Sequence, residues 1–213
     1  MHPANSFQVP EKLPGASDIA QTALRLAALS SRLALEERTL VNHITGRPEN
    51  VAEHSAMVAI VAPAIAEQYY PRLDANLISR FAAIHDVVEA YAGDTTTLEI
   101  SPSELRSKAE REAHGLQQLK ADFAGLPKFL NLLDQYEAQA IPEARFVRVI
   151  DKWTPILLHF ADQGATLRSY TDAEGLLANY GPRAASLKQQ FPDFIELVII
   201  REELTELAAR HLF

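Results

Sequence analysis

Apolar residues recur along most of this chain in steps of three and four, the spacing of one face of an α-helix. Ser17 or Asp18 can cap a first helix running to about Arg38, with Ile19, Leu26 and Leu33 on its apolar stripe. A loop through Gly46 and Pro48 separates it from a second helix, predicted from near Asn50 to just before Pro71 with Val51, Ser55, Val58, Ala62, Ile65 and Tyr69 on one face. A third is predicted from about Asp74 to Ala92, carrying Leu77, Phe81, Ile84 and Val88, with Gly93 placed to end it. Ser101-Pro102-Ser103-Glu104 is a helix-start signal: a cap, a proline suited to the first helical position, and the acid of a capping box. That helix should reach Ala124. Pro127 opens the next, to about Ala138, and Pro142 another through Phe146, Ile150, Trp153 and Leu157. Shorter helices near Asp172 and Pro182 precede a last one from about Pro192 to Leu212.

No alternating strand pattern competes with this, and there is no internal repeat, low-complexity stretch or linker. The fold class is therefore all-α, a single helical bundle. Residues 1–16 read as an extended N-terminal arm, with Pro3, Pro10 and Pro14 and no apolar core, and residues 17–213 as the domain. With 213 residues, 47% of them apolar, the chain can bury a full core. A formal net charge of −8 without a basic run argues against non-specific nucleic-acid binding, which needs Lys and Arg to neutralise phosphates. The absence of cysteine removes disulfides, thiolate ligands and thiol nucleophiles, and fits a cytoplasmic protein. No apolar run approaches the ~20 residues of a membrane helix.

Three of the predicted helices carry polar residues on their apolar stripes. His54 shares a face with Val51, Val58, Val61 and Ile65; His85 with Ile78, Phe81 and Val88; Asp151 with Val147, Ile150, Thr154 and Leu158. A buried imidazole or carboxylate costs several kcal/mol unless it is paired or holds a cation. With Asp86, beside His85, these make two imidazoles and two carboxylates, a set suited to one divalent ion of Mn, Fe, Co, Ni or Zn. Four protein donors on an octahedral ion leave two positions for water and substrate, which is a catalytic arrangement. His85 and Asp86 point about 100° apart on a regular helix, so both reach one ion only if it lies close over the helix. Glu89, three residues from Asp86 and four from His85, projects over the same patch as a candidate acid, base or orienting carboxylate. Pro155 cannot give an N–H to the carbonyl of Asp151, so the helix should kink beside that residue.

At these residues the chain resembles a known family. Arg47-Pro48-Glu49-Asn50-Val51-Ala52-Glu53-His54-Ser55 resembles the first metal motif of bacterial HD-domain 5′-deoxynucleotidases. His85-Asp86-Val87-Val88-Glu89 with Gly93-Asp94 resembles their central motif, and Asp151, in Val149-Ile150-Asp151-Lys152-Trp153, falls at their last ligand. The likeness spans roughly residues 20–165. It implies an all-helical HD fold, one divalent metal on His54, His85, Asp86 and Asp151, and hydrolysis of a phosphate ester on a nucleotide. Glu89 carries over as the acid/base or water-positioning carboxylate, and Asp94 as a second acid near the scissile group. Family members are often dimers, so a homodimer is among the assemblies implied. Two departures concern the choice of nucleotide. The family's Arg-Trp pair upstream of the first histidine is here Arg38 followed by Thr39 and Leu40, and its proline-containing stretch after Gly-Asp is Thr95-Thr96-Thr97.

Charge developing on phosphoryl oxygens needs cationic donors. Arg47, before the His54 helix, and Lys152, beside Asp151, are the candidates for substrate binding; Trp153 could stack on a base or belong to the core. The leading function is release of phosphate from deoxynucleoside monophosphates. A triphosphohydrolase would need more cations at the site, and a non-catalytic metal-bound regulatory module would have no use for Glu89 and Asp94.

Overall fold

The structure, a computed structural model, describes residues 12–42, 46–93 and 102–213. The proposed arm before Lys12, Asp94, Thr95–Thr97 and the Ser101 cap lie outside them.

Helix α1, Asp18–Leu33, begins where Ser17 accepts the N–H of Ala20. It stops short of the expected Arg38, because Leu35 and Glu36 donate back to Arg32 and Leu33 in a tight turn. The chain then enters strand β1, Glu37–Asn42, which pairs antiparallel with β2, Pro48–Asn50. Two short paired strands thus stand where the end of the first helix and a loop through Gly46 and Pro48 were expected, in a fold that is otherwise helical. The two strands are few residues long, too short for an alternating pattern to show, and it is their mutual pairing that orders them.

Helix α2, Val51–Tyr69, follows directly. The Asn50 side chain accepts the Glu53 N–H at 3.0 Å, while the Glu53 carboxylate accepts the Asn50 N–H at 3.1 Å. This reciprocal cap fixes the register from which Val51, His54, Ser55, Val58, Ala62 and Ala66 all turn inward. Asp74 caps α3, Ala75–Ile84, which packs on α2.

The third helix does not run on to Ala92. It ends at Ile84, passes through His85–Val88 as a turn, and resumes as α4, Glu89–Ala92. Helices α5, Pro102–Asp122, and α6, Pro127–Ala138, follow. The kink expected at Pro155 is a full break: α7, Pro142–Asp151, ends at its last acid, and α8, Thr154–Ala161, restarts with Pro155 in its first turn, where a missing N–H costs nothing. A short helix α9, Leu167–Tyr170, leads to α10, Ala173–Gln190. Here the expectation of two short helices fails, since Pro182 sits inside one continuous helix whose buried Leu176 and Ala184 lie on either side of it. A 3₁₀ turn, Pro192–Phe194, opens α11, Ile195–His211.

The main core gathers Val58, Phe81, Phe146, Ile150, Trp153 and Leu197. A second cluster joins Leu29, Leu33, Val51, Leu119 and Phe123, and a third joins Ile156, Leu167, Leu176 and Ala208. Ile84 packs against the first two, and Leu204 against the first and third. Each large apolar side chain so buried contributes about 1.5–3 kcal/mol. Several of them offset the penalty, also several kcal/mol per ion, of enclosing charged groups among them.

Candidate metal centre

The two helix breaks solve the geometric problem posed by His85 and Asp86. After Ile84 the backbone tightens: Val87 donates to Ile84 at 3.2 Å and Glu89 to Asp86 at 2.9 Å, both three-residue spans. The same occurs after Asp151, where Lys152 donates to Val149 at 3.1 Å and Trp153 to Ile150 at 2.9 Å. The regular helix is interrupted at both places, so the ligand side chains lie at helix ends and not within a continuous helix. His85 and Asp86 converge with Asp151, and His54 meets them from the second turn of α2.

The resulting cluster is tight. His54 Nε2 lies 3.1 Å from His85 Nε2, 2.9 Å from Asp151 Oδ1 and 3.3 Å from Asp86 Oδ2. His85 Nε2 is 3.1 Å from Asp86 Oδ2 and 3.9 Å from Asp151 Oδ1. One ligand atom from each of the four residues lies within 4.8 Å of every other. Donors about 2.1 Å from one ion stand roughly 3–4 Å apart, so the spacing suits a single cation. His54 has no exposed surface and His85 only 2%.

The outer ring nitrogens show what the inner ones must be. His85 Nδ1 lies 2.8 Å from the carbonyl of Ala82, which can only accept, so Nδ1 carries a proton. The Thr154 hydroxyl donates to the carbonyl of Asp151 at 2.8 Å, leaving a lone pair for His54 Nδ1–H at 3.2 Å. In the neutral rings both Nε2 lone pairs therefore point at each other and at two carboxylates, a repulsive arrangement that a cation relieves. His54, His85, Asp86 and Asp151 thus form a group that could hold one divalent ion.

The electrostatics agree. Burial opposes protonation of His54, yet hydrogen bonds to Asp151 and Asp86 raise its pKa to about 9. Burial likewise opposes ionisation of Asp86 and Asp151. His85 and His54 nonetheless hold Asp86, and Lys152 and His54 hold Asp151, well below the usual carboxylate range. Without a metal, a proton on His54 is the cation the cluster takes up.

Around it, Arg38 from β1 bridges Glu49 at 3.2 Å and Asp86 at 3.5 Å. Glu49, from β2, is itself 3.9 Å from His54 Nδ1, backing that ring with a carboxylate. Lys152 pairs with Asp151 Oδ2 at 2.6 Å. Glu89, partly buried, opens α4 and is tied to Asp86 through its backbone. Arg47 is engaged elsewhere: its exposed guanidinium pairs with Glu53 and donates to the Pro48 carbonyl, bracing the start of α2. Trp153 belongs to the core, donating from its indole N–H to Leu197 at 3.0 Å. Arg148 lies over the ring of Tyr136, 4.8 Å from its centroid.

Sequence reasoning passed over Glu49, Thr154, Arg148 and Tyr136, and weighed Arg38 only for its missing tryptophan neighbour. The available signals are slight: Glu49 follows a proline in a three-residue strand, Arg148 precedes Asp151 by one helical turn, and Thr154 reads as one more position on the apolar stripe.

The HD-domain family profile matches residues 31–192. The chain is 28% identical over 195 residues to the 5′-deoxynucleotidase HDDC2 of Homo sapiens, covering 89% of this chain and 90% of that protein. The 5′-deoxynucleotidase hdd1 of Schizosaccharomyces pombe is 30% identical over 135 residues, 61% of this chain and 67% of the relative. Among solved structures, a "predicted metal-dependent phosphohydrolase" from Magnetospirillum magnetotacticum MS-1 superposes with a TM-score of 0.63 at 25% identity, covering 89% of this chain and 94% of that one.

Proposed function

This chain belongs to the HD-domain family, and on that premise we propose that it is a metal-dependent phosphohydrolase releasing phosphate from deoxynucleoside 5′-monophosphates. The observation that carries the reading is the meeting of two imidazoles and two carboxylates in one buried cluster, from three separate stretches of chain. The 5′-deoxynucleotidases among its relatives support the choice of substrate.

In this reading His54, His85, Asp86 and Asp151 hold one ion, with Mn, Fe, Co, Ni and Zn all compatible with the donors. When bound, the ion supplies Lewis acidity, polarising a phosphoryl oxygen and making water more acidic. The protein's part is orientation and proton handling. Thr154 and the Ala82 carbonyl fix the two rings so that Nε2 faces inward. Lys152 holds the Asp151 oxygen turned away from the histidines, and Arg38 lies beside the Asp86 oxygen that faces them. Glu89 takes the proton from the attacking water and returns one to the leaving 5′-oxygen, with Asp94 helping to orient the water. Arg47 is committed to the α2 cap, so it drops out as a phosphate donor. We also read residues 17–213 as one domain, supported by core residues shared between clusters. Among the described residues no helix is long and apolar enough to cross a membrane.

The test is product analysis over deoxy- and ribonucleotides with Mn²⁺, Co²⁺, Mg²⁺ and Zn²⁺ in turn. Inorganic phosphate and a deoxynucleoside are the expected products. Release of triphosphate from a deoxynucleoside triphosphate would move the chain to the other hydrolase class, and no turnover under any pairing would leave a binding module.

A further inference from the structure

We propose that Arg148, seated on the ring of Tyr136, is the anchor for the substrate's phosphate. The inference rests on the phosphohydrolase reading and names the group that holds its substrate.

Cations near the cluster differ in what they already hold. Arg38 is shared between Glu49 and Asp86, Lys152 is on Asp151, and Arg47 is on Glu53. Arg148 alone of these four has no ion pair among the described residues, and its recorded contact is with the Tyr136 ring. It stands three residues before Asp151 on α7, hence on the same side of that helix. Tyr136 in turn meets His85 edge to face, with ring centroids 6.3 Å apart. The guanidinium, the aromatic ring and the imidazole therefore form a continuous chain of contacts ending at the cluster.

Two features of this arrangement point to an anion. A partly buried guanidinium has up to five N–H donors, and among the described residues no carboxylate forms an ion pair with this one. Beneath it, the Tyr136 hydroxyl is fully enclosed and has no hydrogen-bond partner among the described residues, a costly state for a buried polar group. The ring holds the arginine by its face, as aromatic platforms do, and leaves the planar fork free for two phosphoryl oxygens. Burial works against the charge, and Tyr136, Asp151, Glu137 and Asp86 together outweigh it, so the guanidinium stays charged. A phosphate held by Arg148 would give the guanidinium the anionic partner it lacks among the described residues.

The probe is inorganic phosphate titrated calorimetrically into cobalt-loaded protein, alongside steady-state kinetics on a deoxynucleoside monophosphate. Arg148→Ala is expected to weaken phosphate binding roughly 10–100-fold, the value of a charge-assisted hydrogen-bond pair. KM should rise more than kcat falls, with cobalt content and melting temperature as in wild type. Arg148→Lys, which keeps the charge and loses the fork, should recover part of the affinity. Arg148→Gln keeps a planar group over Tyr136 and should behave like the alanine variant. Phosphate affinity within twofold of wild type in Arg148→Ala, absence of phosphate binding in the loaded wild type, or loss of cobalt in both neutral variants overturns the proposal. If phosphate binds and the variants weaken it while no nucleotide is turned over, the anchor stands and the nucleotidase reading falls.

Discussion

His54, His85, Asp86 and Asp151 are almost wholly withdrawn from solvent, whereas Arg38, Lys152, Arg148 and Arg47 around them each keep some exposed surface. The two sets obey different physics. An enclosed cluster of like and unlike charges has one satisfactory arrangement, because every missing partner leaves a desolvated ion. A cation at the rim acts through the partner it holds, so removing it costs little where that partner is exposed and more where it is buried. The centre should therefore respond to substitution all at once, and the rim residue by residue, each according to what it already holds.

The sharpest break in that contrast is at the centre. His85→Ala or Asp86→Ala should abolish both metal binding and turnover, measured by elemental analysis and phosphate release on the same preparation. Either variant retaining a stoichiometric ion would show that the four side chains are not a set. Glu89→Ala, one turn away, should keep the metal and lose roughly 10²–10⁴ in kcat, the usual contribution of a positioned acid or base. Unchanged kcat would remove Glu89 from proton transfer.

The protonation of His54 gives a smaller effect with a definite sign. In the metal-free protein its pKa is raised to about 9, so near neutral pH an incoming ion must displace a proton. Apparent metal affinity should rise with pH up to that value, by up to about tenfold per unit, with proton release visible as buffer-dependent heat of binding. An affinity independent of pH between 6 and 8 would contradict this.

At the rim, Arg38 and Arg47 make a matched pair. Arg38→Ala strands Glu49, whose side chain is only 2% exposed, and should destabilise the fold by about 1–3 kcal/mol in chemical denaturation. Arg47→Ala removes an exposed ion pair and should leave activity within about a factor of two of wild type. If the order of these effects were reversed, Arg47 rather than Arg38 would serve the site.

Much of the centre was legible in the chain because burial shows in periodicity. His54, His85 and Asp151 stand where the apolar repeat demands an apolar residue, and Asp86 follows from its neighbour. The breaks beside them were not legible, because Ile84 and Val88, or Ile150 and Leu157, keep helical spacing straight through the turns. Pro155 was a partial clue, giving a kink where the chain in fact restarts. Strand β1 stayed hidden because its order comes from β2 and not from its own six residues. Pro182 misled in the opposite direction, since packing of Leu176 and Ala184 holds α10 together despite a lost hydrogen bond. The rim was the least legible part: what distinguishes Arg47 from Arg148 is the partner each one finds, and partners are set by the fold.

X-ray absorption on the cobalt-loaded protein tests the convergence of the four donors most directly. One ion per chain, with scattering from two imidazole rings in its first coordination sphere and loss of that signal in Asp151→Ala, is the predicted result. An ion coordinated by oxygen alone, or imidazole scattering undiminished from wild type in His54→Ala and His85→Ala alike, would contradict it.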